Sequence, residues 1–502
     1  MLLMGIDIGT TNTKVGLFQE DGTSVATAAM PTVTHRDPEG FSYYDPEEMW
    51  QMITIAIREV MEKVTPTHPD VQIGAVGITS MAESGLLVDR QTGEPRSIFM
   101  PWFDTCSQPQ AEWIAQEADL FERFCAAGIH SSFKLGMPKL MWLKERDPLA
   151  FEGSVWLSAS GYIAYRLTGA MAFDYSLAAR TFAFDIASKG WDVDWIKFCG
   201  IDPAVFPDVD PAGTPLGVIH IDLAQSLGLS KGIPVCIAGH DHVVSSLSVG
   251  AISPEIVYDS MGTAETLVGT LENKNLGRKE FESGLSYGCH VAKDRMFWMG
   301  GNSASGGSVE WLRSVLGNPQ LSYTEVLTLL DEVQQQGPSG ILYFPYLSGS
   351  GAPHIDARAR AAFIGLSKSH NKGDLIKAVL EGTAYQLQTI REEAQQISGR
   401  EFNKLVVVGG GTRNTHWLQI KADVLNCSLR VPPIEEASLL GAALCAGIGA
   451  GIYASAEEAV LATASLTAKH VEPDQLRHQE YRQLYELGYV ALQAPLRAFY
   501  RR

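Results

Sequence analysis

The sequence predicts an α/β protein made of two related halves, on three observations. Short apolar runs that read as buried strands alternate with segments of helical spacing, an order that layers helices on sheets. The chain opens on a strand, Gly/Thr turn, strand unit between Leu2 and Phe18. A second such unit follows at Glu255 to Ser260, Gly262-Thr263-Ala264 and Glu265 to Val268. Aligning Gly9-Thr10-Thr11 with Gly262-Thr263-Ala264 suggests a repeat and places the boundary near Gly250, giving domains over 1–250 and 251–502.

Each element has a local reason. Leu2 to Ile8 is an apolar run interrupted only by Asp7, and Gly9-Thr10-Thr11-Asn12 turns it back into Lys14 to Phe18. Asp21-Gly22 supplies a hairpin turn before a third strand, Ser24 to Met30. Asp45-Pro46-Glu47-Glu48 starts a helix with an N-cap, Pro at N1 and a carboxylate at N3. Trp50, Ile53, Ile57, Val60 and Val64 continue it at helical spacing, and Ile73 to Thr79 reads as the next strand. Ala437 to Ser455 carries no charge and approaches membrane-spanning length. Its Gly441, Gly447, Gly449 and Gly451 and many alanines make it only weakly apolar, so a buried, tightly packed helix and turn is expected. Beyond about residue 470 the chain reads as polar helix, with Tyr481, Leu484 and Leu487 as its packing face.

Composition narrows the function. At 502 residues, 45% hydrophobic and 19% charged, the chain is an ordinary globular protein. A net charge of −18 without a basic stretch disfavours nucleic acid and anionic membranes as partners. An anionic ligand then needs local compensation from backbone amides, helix N-termini or a metal ion. Seven scattered cysteines without a CxxC pair point to reduced thiols in a cytoplasmic protein, and the first residues lack a signal peptide's basic start.

Three places could serve phosphoryl transfer, which asks a protein for position and charge neutralisation more than covalent chemistry. The first is Asp7 with Thr10, Thr11, Asn12 and Lys14: a carboxylate ending a buried strand is costly unless a hydrated Mg²⁺ lies beside it. A hairpin whose Asp and Thr side chains satisfy their own backbone fits the same residues. The turn joins strand to strand, whereas Walker and dinucleotide loops join strand to helix. The second is Gly239-His240-Asp241-His242, between the strand Ile233 to Ala238 and the helix Val243 to Val249. Asp241 could be a general base at a strand's C-terminal end, although a helix N-cap is the simpler local reading. The third is Gly409-Gly410-Gly411 after Leu405 to Val408, where adenine or ribose could approach the backbone, or a plain tight turn could run. Gly284-Leu285-Ser286-Tyr287-Gly288 matches a hydrolase G-x-S-x-G elbow, but Cys289 to Met299 after it reads as strand rather than helix, so the match is read as chance.

Together and in this order, these motifs resemble the FGGY carbohydrate kinases. The resemblance implies two ribonuclease-H-like domains of the actin and Hsp70 type with a cleft between them. The first domain would bind the acceptor and carry the catalytic aspartate, and the second would bind ATP. It places ATP contacts at Thr10, Thr11, Asn12 and Lys14, at Gly262 and Thr263, at Gly306 and Glu310, and at Gly410, Gly411 and Asn414. Asp7 would hold Mg²⁺ and Asp241 would be the catalytic base. Ala361 to Glu381 resembles the family's second signature, and Tyr175 to Thr181 its Ser-Arg-Thr segment.

The acceptor pocket departs from the better-known members. Ala82 stands where glycerol kinases carry arginine, beside the retained Glu83, and Lys134 and Gly136 break the first family signature while Lys139, Trp142 and Leu143 fit it. Met81, Glu83, Trp102, Asp104, Asp241 and His242 are the expected acceptor residues. Acidic groups such as Glu83 and Asp104 suit a neutral acceptor better than a sugar acid, so a ketose or polyol of three to six carbons is expected. The implied partners are ATP, Mg²⁺ and this small molecule, with a homodimer as the assembly to test. The rival reading is a chaperone-like or sensor ATPase of the same fold without sugar kinase activity.

Overall fold

The computed structural model describes residues 1–66, 71–333, 337–463 and 467–500. Strand β1 (Leu2–Ile8) pairs antiparallel with β2 (Asn12–Gln19), which pairs antiparallel with β3 (Ser24–Pro31). On its other side β1 runs parallel to β4 (Ile73–Ser80). With β5 (Pro215–Val218) and β6 (Pro234–His240) the sheet order is β5-β6-β4-β1-β2-β3. Every residue of β1 is buried, which is why the strand is apolar throughout rather than alternating. The helix Pro46–Val64 begins as its sequence dictates: the Asp45 carboxylate accepts the Glu47 and Glu48 amides at 2.9 and 2.8 Å.

The second sheet repeats that plan. Strands β7 (Ile256–Met261), β8 (Glu265–Glu272) and β10 (Arg295–Asn302) form the antiparallel part, with β9 (Ser286–Cys289) on the edge. Strand β7 is parallel to β11 (Lys404–Val408), β11 is parallel to β12 (Ser428–Val431), and β13 (Lys469–Val471) closes the order β9-β10-β8-β7-β11-β12-β13. The two Gly/Thr turns therefore occupy equivalent corners, each joining the central strand to its antiparallel neighbour. Ser286 lies in β9 with another strand after it, so no nucleophile elbow exists there. The strand expected from Cys289 to Met299 is broken instead, because the chain reverses through Asp294, whose φ is +58°.

Two helices join the halves. Asp241–Ser248 follows β6 and also touches β7 and β8 of the second sheet, whereas Ala437–Gly449 follows β12 and lies across β1, β4 and β6 of the first. They pack on each other at backbone contact distance. A Cβ at Gly5, Gly77 or Gly441 would clash with the carbonyl oxygens of Leu439, Ala442 and Val244 respectively. The uncharged stretch is thus a buried interdomain helix, and no helix among the described residues is long and apolar enough to cross a membrane.

The C-terminal segment differs from its reading. Helix Gln475–Leu484 passes through a π-helical turn, Tyr485–Val490, into helix Ala491–Tyr500. The wider turn shifts the phase of the buried face. Tyr481, Tyr485 and Tyr489 are buried, whereas Leu487 is 73% exposed.

Substituting Gly441→Ala forces the two helices apart. The expected cost is about 1–3 kcal/mol, the range for overpacking a filled core. Urea denaturation of the purified variant measures it, and an unchanged midpoint would show that the helices do not need this approach.

Candidate active site

Asp241 is set by the end of β6. The strand carries an irregularity between Ile237 and Gly239, and Gly239 takes a φ of +107°, a conformation suited to glycine. The Gly239 carbonyl accepts the Thr79 hydroxyl at 2.7 Å, and the His240 amide donates to Ser176 Oγ at 2.9 Å. Ser176 is itself fixed by Asp174, which accepts its amide and hydroxyl at 2.7 and 2.6 Å. Asp241 is then the first residue of its helix, two residues earlier than the hydrophobic spacing suggests. Its Oδ1 accepts the His242 amide at 2.7 Å, so the carboxylate is held without being used up as a distant cap. Burial raises its pKa above the usual carboxylate value; His242 and Arg180 counteract this and Glu83 adds to it.

Asp7 faces it from the end of β1. Its Oδ2 accepts the Ser438 hydroxyl at 2.6 Å, whereas Oδ1 is buried with no partner. Burial, with repulsion from Asp241 next, pushes its pKa up to about 7. Lys14, directly opposite Asp7 in the β1–β2 pair, is engaged by Glu436 at 2.6 Å. A buried carboxylate with one orphaned oxygen beside a second carboxylate is a fitting environment for a hydrated divalent cation.

The residues expected at the nucleotide lie on two turns and at two helices. Thr11, Asn12, Gly262 and Thr263 are exposed at their turns, and Thr10 is half-buried. The Gly9 amide donates to Asn12 O, and the Gly262 amide to Ala264 O, each at 3.1 Å. The second turn rests on the helix Gly306–Leu316: the Gly306 and Gly307 amides donate to Gly262 O and Thr263 O at 3.1 and 2.9 Å. A side chain at Gly306 would meet the Gly262 carbonyl, so glycine is required by contact. Glu310, farther along that helix, is engaged by Arg313 at 2.7 Å and by the Tyr323 hydroxyl. Gly410 and Gly411 lie in a short 3₁₀ turn after β11, and Asn414 caps the helix Thr415–Leu425 by accepting the Trp417 amide at 3.1 Å.

Four of the residues expected at the acceptor, Met81, Glu83, Trp102 and Asp104, lie on the long excursion between β4 and β6, and their bonding bears on the charge argument. Glu83 is engaged through one of its two carboxylate oxygens. Its Oε1 takes Arg180 Nε at 2.7 Å and a second Arg180 nitrogen, and its backbone carbonyl takes the Lys139 ammonium. Its φ is +58°, a conformation that is unfavourable for a non-glycine residue and is held here by those contacts. Asp104 is likewise occupied, accepting the Ser42 and Cys106 amides at 2.6 and 2.8 Å. Met81 is buried, with the Tyr44 hydroxyl 3.6 Å from its sulfur. Trp102 donates from Nε1 to Thr10 Oγ1 at 2.8 Å, tying the excursion to the first phosphate turn.

Several residues of this neighbourhood escaped the sequence reading of the site. Arg180 takes up one carboxylate oxygen of Glu83. Lys134 lies 5.0 Å over the Trp102 ring. In the second domain the fully buried Lys421 bonds Asp259 at 2.6 Å and also Glu265, whose other oxygen takes the Ser305 hydroxyl at 2.6 Å. That network fastens both strands flanking Gly262 to the helix that follows the glycine triplet. The signal for Lys421 was a lone lysine inside the apolar stretch Trp417 to Leu425; for Ser438 and Glu436, 431 and 422 residues from their partners, local sequence carries none.

Comparison with known proteins agrees with this architecture. The model of the FGGY family of carbohydrate kinases, N-terminal domain, matches residues 2–248, and that of the C-terminal domain matches residues 257–450. A xylulose kinase of Staphylococcus epidermidis is 28% identical over 490 residues, covering 97% of this chain and 95% of the relative. A gluconokinase of Bacillus subtilis is 26% identical over 496 residues, covering 96% and 94%. A glycerol kinase of Saccharolobus islandicus is 26% identical over 469 residues, covering 91% and 89%. The solved xylulose kinase of Rhodospirillum rubrum superposes with a TM-score of 0.89 at 26% identity, covering all of both chains. With both domain models matched in order along one two-sheet frame, the chain belongs to the FGGY family of carbohydrate kinases, and its fold is the two-domain actin/Hsp70-like fold of that family.

Proposed function

We propose that this carbohydrate kinase transfers the γ-phosphoryl group of ATP directly to a hydroxyl of a small polyhydroxy acceptor of three to six carbons, with Asp241 as base. The observation that carries the reading is the facing pair of Asp7 and Asp241, two carboxylates at the ends of β1 and β6. The ketose or polyol skeleton expected from sequence supplies the size of the acceptor. Its neutrality does not follow from Glu83 and Asp104 alone, because both are partly engaged by protein groups. The named relatives act on neutral and acidic acceptors alike and are 26–28% identical, a spread too small to choose among them.

The roles follow from placement. The turns at Gly9 to Asn12 and Gly262 to Ala264 offer backbone amides and hydroxyls to the phosphates. The N-terminus of Gly306–Leu316 adds the positive end of a helix dipole. The 3₁₀ turn at Gly410 and Gly411 leaves room for adenosine. Asp7, with Oδ1 unpartnered, would hold Mg²⁺ through water, and that ion supplies neutralisation of phosphate charge. Asp241 accepts the proton as the acceptor oxygen bonds phosphorus and the bond from phosphorus to the ADP oxygen breaks. A domain boundary near residue 250 would divide these tasks, with the acceptor on the first sheet's excursion and adenosine on the second. Cytoplasmic residence accords with reduced cysteines, and a homodimer is the assembly we propose to check by light scattering.

Three measurements bear on this reading. Asp241→Asn should lower kcat by roughly 10²–10⁴-fold while ATP binding persists, and near-normal turnover would remove the base assignment. Only the ionised base is active, so kcat/KM should fall as pH drops through a value above the ordinary carboxylate range; an acid limb near 4 would contradict the raised pKa. Asp7→Asn should lose the additional thermal stabilisation that Mg²⁺ gives with ATP over ATP alone, and an unchanged increment would place the ion elsewhere. ADP release stimulated by unfolded peptide and by no polyhydroxy compound would instead favour the chaperone-like alternative.

A further inference from the structure

Around Glu83, near Asp241, the protein places two cations whose donors it does not fully use. Arg180 places Nε and one terminal nitrogen on a single oxygen of Glu83, while Nη1 is buried without a hydrogen-bond partner. Buried guanidinium donors are normally satisfied, so an orphaned one calls for a partner the protein does not itself provide. Lys134 supplies a second cation in the same neighbourhood. Its ammonium rests over the Trp102 face, and among the described residues it forms no ion pair or side-chain hydrogen bond. The Trp102 indole N–H in turn bonds Thr10 on the first phosphate turn, so this cation is tied to the nucleotide side of the cleft. Arg180 lies within the electrostatic reach of Asp241, which links it to the reacting side.

We propose that Lys134 Nζ and Arg180 Nη1 together receive the carboxylate of the acceptor, which makes the substrate class polyhydroxy acids of three to six carbons rather than neutral sugars. The inference rests on the kinase reading above and specifies its acceptor. A carboxylate between a planar guanidinium and an ammonium gains charge-assisted bonds from both. It also restores the balance of the site, where Glu83 is shared by cations and Asp104 is consumed by backbone amides. Burial lowers the Lys134 pKa against the opposing charge of Glu83, with Arg180 adding to the lowering, and an arriving anion would counter both. These two donors discriminate against neutral analogues, which leave them unpaired.

The test uses matched pairs at equal carbon number: D-erythronate with erythritol, D-xylonate with xylitol and D-gluconate with sorbitol, with D-xylulose and D-fructose as neutral ketoses. Coupled ADP detection on the full chain with Mg²⁺ and ATP should give at least one acid with kcat/KM roughly tenfold or more above its neutral partner and above both ketoses. In Lys134→Gln that acid-to-neutral ratio should fall by roughly tenfold, mostly through KM, with the melting temperature retained. A wild-type preference for the neutral member, or a ratio indifferent to Lys134→Gln, overturns the carboxylate assignment and leaves the kinase reading intact. Absence of phosphorylation with every acceptor, while ATP binds, overturns both.

Discussion

The contact between helices Asp241–Ser248 and Ala437–Gly449 is the constraint on which the arrangement of the site depends. Each helix leaves the last parallel strand of one sheet and packs against the other sheet, so the halves are interlocked rather than merely adjacent. Gly441 permits backbone to meet backbone between the helices, and Gly5 and Gly77 do so between Ala437–Gly449 and the first sheet. The approach brings the N-terminal ends of both helices close to the end of β1. One contributes Asp241 itself, and the other contributes Ser438, which bonds Asp7, and is preceded by Glu436, which bonds Lys14.

From that contact follows the electrostatic character of the site. Asp7 and Asp241 repel each other across a space that protein only partly neutralises, and the Asp7 carboxylate is pushed up to about 7, chiefly by burial. Such a pair costs stability in the absence of ligand and gains from a cation or a proton. The site is built for the complex rather than for the free protein, as expected where function and stability compete. The acceptor side shows the same economy in reverse, since Arg180 and Lys134 present cationic donors that Glu83 alone does not satisfy.

The strands and turns around Asp7 and Gly262 were readable because their causes are local. An apolar run buried on both faces, a Gly/Thr corner and an Asp-Pro-Glu-Glu helix start need no distant partner to be recognised. Boundaries moved where geometry depends on neighbours. Asp241 became helical because Ser176 and Thr79 hold the preceding turn, and the C-terminal packing face moved to Tyr485 and Tyr489 because a π turn changed the phase. Glu83 and Asp104, expected as open acceptors, are partly engaged by protein groups for the same reason. Which partner claims a carboxylate is a matter of spatial neighbours, and Arg180 is 97 residues from Glu83.

By itself, then, the sequence determined the α/β class, the repeated hairpin opening and the residue types at the phosphate turns, through periodicity and turn chemistry that operate over a few residues. Only the tertiary structure decided that Ala437–Gly449 is an interdomain helix, that Asp7 keeps one oxygen unpartnered, and that the acceptor side carries unspent positive charge. Those outcomes are sums of burial and pairing between segments hundreds of residues apart, and no local pattern encodes the sum.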